Sequence, residues 1–210
     1  MKKKLAGLGL VAGVLVVAGQ VQAETSAEIK ITGKIMPDAC NLTIGNGGVY
    51  DFGSIASENL HRDKTTQLPG KLQTVSISCN AAAKVALNVR DNRSGTVAGG
   101  TGDAAEFGLG NGKAGYYTLS LGGATGDSNG VDIVAAPAGS NAWASDEAGL
   151  MTKGSARKSF ANSGDVTPGA YKTVTANLTV TPTINKLSEL DLSGGSVDLD
   201  GSATVELTYL

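Results

Sequence analysis

Thr173-Val174-Thr175-Ala176-Asn177-Leu178-Thr179-Val180 places Val174, Ala176, Leu178 and Val180 on one side and only polar residues on the other. An unbroken period of two over eight residues is the pattern of a β-strand with one buried face, and Val and Thr suit a pleated surface. The alternation recurs on either side of this window. Leu72-Gln73-Thr74-Val75-Ser76-Ile77-Ser78-Cys79 aligns Val75, Ile77 and Cys79. Val85, Leu87 and Val89 repeat it, as do Tyr117, Leu119 and Leu121. So do Ala203, Val205, Leu207 and Tyr209 at the C-terminus, and Ile29, Ile31 and Ile35, with Gly33 in the same row, near the start.

Between these windows lie clusters such as Gly45-Asn46-Gly47-Gly48, Gly99 to Asp103 and Gly122 to Gly130. Gly, Asn and Asp accept positive φ, so such clusters mark turns. Short strands separated by turn signals predict an all-β, antiparallel β-sandwich. Thr96 to Thr167 is rich in Gly, Ala, Ser and Asn and is expected to form long loops on that sandwich. Ser140 to Met151 offers a helical turn or two at most, and Asp200-Gly201 reads as a hairpin turn.

The chain has 210 residues, 17 basic, 19 acidic, 30 Gly, one His and two Cys. A net charge of −2 lacks the basic footprint of a nucleic-acid binder. One His and two Cys cannot furnish a His-rich or four-cysteine metal site, and they leave little for a nucleophile–base pair. The expectation is a protein that is not an enzyme and holds no cofactor.

The N-terminus reads as an address. Lys2-Lys3-Lys4, the apolar run Leu5 to Ala18 and the small-residue site at Val21-Gln22-Ala23 have the layout of a secretory signal peptide, residues 1–23. A membrane anchor is the alternative, for which a run of 14 residues containing three Gly is short. Cleavage after Ala23 leaves 187 residues, enough for one domain at 36–210 behind a short segment at 24–35. In an oxidising compartment Cys40 and Cys79 favour one disulfide, with two buried thiols the alternative.

Several motifs fail on context. Gly110 to Gly115 matches G-x-G-x-x-G, but a strand pattern follows where a nucleotide site needs a helix. Gly126-Asp127-Ser128-Asn129-Gly130 matches G-x-S-x-G, yet His61 is the sole histidine and precedes it. Asp198-x-Asp200-Gly201 lacks the remaining ligands of a calcium loop.

The ends of the mature chain carry a likeness. A signal peptide, Ile29-x-Ile31-x-Gly33-x-Ile35 ahead of Cys40, Val49-Tyr50-Asp51-Phe52-Gly53-Ser54-Ile55 after it, Cys79 closing a strand, and an alternating C-terminus with penultimate Tyr209 together resemble the subunits of chaperone–usher fimbriae (pilins). The likeness is nearest to an uncharacterised fimbrial-subunit-like family of bacterial exported proteins and covers Ile29 to Arg90 and Thr173 to Leu210. It implies an immunoglobulin-like sandwich lacking its last strand. A periplasmic chaperone, and then a neighbouring subunit at the outer-membrane usher, would supply that strand. The resemblance makes Ala27, Ile29, Ile31 and Ile35 donor-strand residues, and Val205, Leu207 and Tyr209 the flank of the acceptor groove and the chaperone edge. It implies a structural or adhesive role on the cell surface, with a host or surface receptor as a further partner. The alternative is a self-contained exported sandwich that binds a ligand, such as a sugar, through its Gly-rich loops and Trp143.

Overall fold

The computed structural model describes residues 30–32, 39–110 and 113–210. Contacts divide the chain into Met1–Ile35 and Met36–Leu210. Of the first unit, only Lys30, Ile31 and Thr32 are described; they belong to no regular element, and Ile31 is exposed. Ala27, Ile29 and Ile35 lie outside the described residues.

The second unit is all-β and antiparallel. Its strands are β1 (Cys40–Ile44), β2 (Thr66–Gln67), β3 (Lys71–Ala83), β4 (Val85–Asp91), β5 (Phe107–Gly108), β6 (Gly115–Gly126), β7 (Asn129–Pro137), β8 (Ala144–Ser145), β9 (Ala156–Asn162), β10 (Tyr171–Ile184) and β11 (Ala203–Tyr209). Neighbours run β1-β3-β10-β6-β7-β9-β4-β11. The β6–β7 hairpin joins two layers through only two rungs, Thr125 with Gly130 and Gly126 with Asn129. Its turn residues Asp127 and Ser128 sit at φ 48° and 71°. The Asp127 carboxylate accepts the amides of Thr173 (2.8 Å) and Lys172 (3.0 Å), which hold it below the usual carboxylate range. Ser128 is therefore a turn residue.

The alternating windows form the core. Val75 and Ile77 of β3, Val174, Ala176 and Leu178 of β10 and Leu119 and Leu121 of β6 face Leu87 and Val89 of β4, Ile133 of β7 and Phe160 of β9. Lys84 alone separates β3 in one layer from β4 in the other.

Three expectations need correction. Thr96 to Thr167 is not a set of long loops: it contains β5 to β9, including the twelve-residue β6. Only the Tyr117, Leu119 and Leu121 stretch of β6 is expected there from sequence; β5 and β8 are two residues long, and β7 and β9 bury adjacent residues and so break the alternation. Ser140 to Met151 contains β8 and turns rather than helix. Asp200-Gly201 is not a hairpin turn: the Asp200 amide donates to the Leu109 carbonyl (2.9 Å), and its carboxylate takes Arg93 Nε (3.0 Å) and Nη2 (2.8 Å).

The loop ahead of β5 is closed by Glu106, a buried carboxylate. It accepts the Thr101 amide (2.9 Å), the Gly102 amide (2.8 Å) and the Thr101 hydroxyl (3.0 Å). Burial pushes its pKa up, but these donors prevail and hold it below the ordinary Glu value. The folded state thus favours the ionised form. The resulting stability is present above the unfolded Glu pKa and is lost as pH falls through the lower folded value. Glu106→Gln is expected to lower the urea midpoint at neutral pH and to leave a smaller difference from wild type at about pH 3. An equal deficit at both pH values would remove the carboxylate from this account.

Candidate functional site

Each sheet ends on an edge strand that faces a shared gap. Among the described residues β1 pairs only with β3, and β11 only with β4. The residues on successive rungs show what this costs. On β4, Val85, Leu87 and Val89 are at most 5% exposed, whereas their rung partners Tyr209, Leu207 and Val205 on β11 are half-buried. On β3, Cys79, Ile77 and Val75 are at most 3% exposed, while their partners Cys40, Leu42 and Ile44 are again half-buried. The inward faces of both edge strands therefore end in an apolar trench between them.

One contact closes the trench at one end: the Cys40 amide donates to the Tyr209 hydroxyl (2.6 Å). Beside it the Cys40–Cys79 disulfide ties β1 to β3. At the other end the trench opens into a cavity of about 230 Å³. Its floor is Leu178, Val180 and Pro182 of β10 with Tyr117 and Leu119 of β6, and its far wall is Leu199 to Val205. The near wall is unusual. After Ile44 the chain makes a left-handed turn through Asn46, Gly47 and Gly48 (φ 49°, 61° and 78°). Gly enters that region freely and Asn at small cost, which suits this cluster to the turn.

Beyond the turn, Tyr50, Phe52 and Ile55 present half-buried apolar faces, yet among the described residues no strand pairs with this segment. Side chains take the place of a ladder. Gln73 Nε2 donates to the Val49 carbonyl (2.5 Å) and Lys71 Nζ to that of Asp51, while the Lys71 ammonium lies 5.1 Å from the Phe52 ring centre. The Tyr50 hydroxyl donates to the Leu178 carbonyl (3.0 Å), and burial pushes its pKa up. Burial also raises the Tyr117 phenol far above its ordinary value, with the Asp91 charge adding to the effect. Both phenols are thereby held in their neutral form, and around them the walls present apolar side chains and strand edges.

Of the residues singled out from sequence, Val205, Leu207 and Tyr209 flank this trench, and Cys40 and Cys79 fix its closed end. Ile31 is described apart from any element. The sequence reading missed Ile44, Tyr50, Phe52 and Leu199 as wall residues. The Tyr50/Phe52 alternation could have signalled two of them. His61 is exposed, and its amide donates to the Thr66 hydroxyl. Among the described residues no group of three His, Cys, Asp or Glu side chains is placed to hold a metal ion.

A family described as a protein of unknown function (DUF1120) matches residues 29–130. The chain is similar to protein GltF of Escherichia coli (strain K12), 28% identical over 254 aligned positions spanning all of this chain and 99% of that protein. It is also similar to the uncharacterized protein YhcF of the same strain, 29% identical over 114 positions, 54% of this chain and 45% of that protein. The relationships are distant.

Proposed function

We propose that this chain is a structural or adhesive subunit of a bacterial surface fimbria, assembled when a strand from another protein fills the trench between β1 and β11. The observation that carries the reading is the burial contrast along six alternate rungs, three of β1/β3 and three of β4/β11. Inner strands are buried to within a few per cent, and both edge strands stop halfway. A strand laid between them would pair with open edges and cover the half-buried side chains, the mode of recognition known as strand addition. Each Leu, Ile or Val whose burial it completes contributes about 1 kcal/mol.

Residues 1–23 direct export in this reading. A periplasmic chaperone occupies the trench first, and an N-terminal segment of a neighbouring subunit replaces it at the outer-membrane usher, with Ala27, Ile29, Ile31 and Ile35 as the donor side chains. The protein has no catalytic role and needs no cofactor.

The test is co-expression with a periplasmic fimbrial chaperone, followed by denaturing gels without boiling. Wild type is expected to give ladders of multimers and a chaperone complex. Ile29→Asp/Ile31→Asp is expected to lose the ladders and keep the chaperone, because its trench is intact. Leu207→Asp is expected to lose both. A stable monomer that ignores the chaperone in all three cases overturns the proposal and favours the self-contained binding module.

A further inference from the structure

The second layer has a window in it. β4 and β9 form only two rungs, Ala86 with Ser159 and Leu87 with Lys158. Continued in register, the ladder would pair Val89 with Ala156 and Asp91 with Gly154. Instead a cavity of about 500 Å³ opens there, larger than the trench cavity. β9 keeps its partner on the far side as far as Ala156 with Pro137, and β4 keeps β11 as far as Asp91 with Ala203. Beyond their two shared rungs, both strands therefore present one satisfied edge and one edge that meets no strand among the described residues. Alternate residues of an antiparallel strand turn N–H and C=O toward each side, so backbone donors and acceptors face the window from both walls.

The window is bounded at both ends. Leu87 and Lys158 close one, and at the other Lys153 Nζ stands 3.8 Å from Asp91 Oδ2. That length is too short for an added strand and suits a small molecule; cavities of about 300–1,000 Å³ are usual for such ligands. One wall is low, made by Ala138, Gly154 and Ala156. The other carries the Asn88 amide, the Arg90 guanidinium and, from β11, Glu206.

Charge selects the class of ligand. Two cations and two anions line the cavity, and they are matched. Arg90 lies 3.9 Å from Glu206, and Lys153 faces Asp91. The Asp91 carboxylate is further committed to the amides of Arg93 (2.8 Å) and Gly108 (3.1 Å), and Lys153 donates to the Glu106 carbonyl. The four charges cancel, and Asp91 and Lys153 are already engaged, so a charged ligand finds no surplus charge to pair with. A neutral molecule bearing many hydroxyls needs none: it can donate to carbonyl and carboxylate oxygens and accept from amide and guanidinium N–H. We propose that the β4–β9 window is a binding site for a small neutral polyhydroxylated ligand, a saccharide residue. It lies apart from the trench and does not depend on strand donation.

The test is titration of the isotope-labelled protein with glucose, galactose, mannose and N-acetylglucosamine, following backbone amide signals, with glucuronate and glucosamine as charged counterparts. At least one neutral sugar is expected to give saturable shifts at Asn88–Asp91 and Lys153–Ala156, and to bind more tightly than the charged ones. Ala156→Phe fills the window from its small-residue wall and is expected to weaken that binding by about tenfold or more. Asn88→Leu, an outward-facing change, serves as a second variant should the first perturb folding. The proposal is overturned if no neutral sugar shifts these signals, if the shifts centre elsewhere (on Trp143 and Arg157, for example), or if a charged sugar binds better.

Discussion

Replacing Asp146 by alanine is expected to destabilise the fold by about 3–5 kcal/mol, because it strands a buried ammonium. The Lys158 side chain is 6% exposed and its Nζ donates to Asp146 Oδ2, whose own side chain is 18% exposed. Lys158 sits on β9 beside Ser159, whose hydroxyl donates to the Val85 carbonyl (2.6 Å), so the strand cannot shift to bring the ammonium to water without breaking that bond. Removing both charges is a different operation. Lys158→Met/Asp146→Leu replaces the pair by apolar groups and is expected to fall within about 1–2 kcal/mol of wild type, since desolvating two ions nearly cancels their attraction. Urea unfolding of the wild type, both single variants and the double variant closes the cycle. A mild Asp146→Ala effect would mean that the ammonium reaches solvent.

Reducing the Cys40–Cys79 disulfide, or replacing both cysteines by serine, is expected to cost about 4 kcal/mol. The bond joins residues 39 apart in sequence, and cross-linking a loop of that size removes much of the freedom of the unfolded chain. A second effect is local. The two cysteines are rung partners, and β1 has only five rungs with β3 and no other strand partner among the described residues. Its release should fray β1, free Tyr209 from the Cys40 amide and remove one wall of the trench. Unfolding midpoints with and without reductant measure the first effect; amide exchange at Asn41 to Ile44 measures the second. A shift in midpoint with unchanged protection of β1 would confine the bond's role to the unfolded chain.

The strands legible in the sequence were those whose inner positions are filled by large apolar residues: β3, β4, β6, β10 and β11. β7 and β9 escaped for physical reasons. On β9 a buried Lys158 and Ser159 occupy positions that a hydropathy pattern reads as solvent-facing. On β7 both Ile133 and Val134 are buried, which breaks the alternation at the point where β8 pairs with Val134 and Ala135. Half of the trench could be read in the same way. Val205, Leu207 and Tyr209 lie on one strand and share one face. The opposite wall and the floor come from Ile44 to Phe52 and from Leu178 to Pro182, and only the topology brings them together. The window between β4 and β9 had no signal at all, because strands that part after two rungs look locally like strands that stay paired.

The left-handed turn at Asn46 to Gly48 bears on self-association. A long bare strand edge is the usual seed of runaway cross-β growth, since any copy of itself can extend it. Here the edge of β1 is cut off after five residues, and Gln73 and Lys71 occupy the next carbonyls along the wall before another backbone can reach them. The turn thus leaves the half-buried flank in place while denying amyloid a template of useful length.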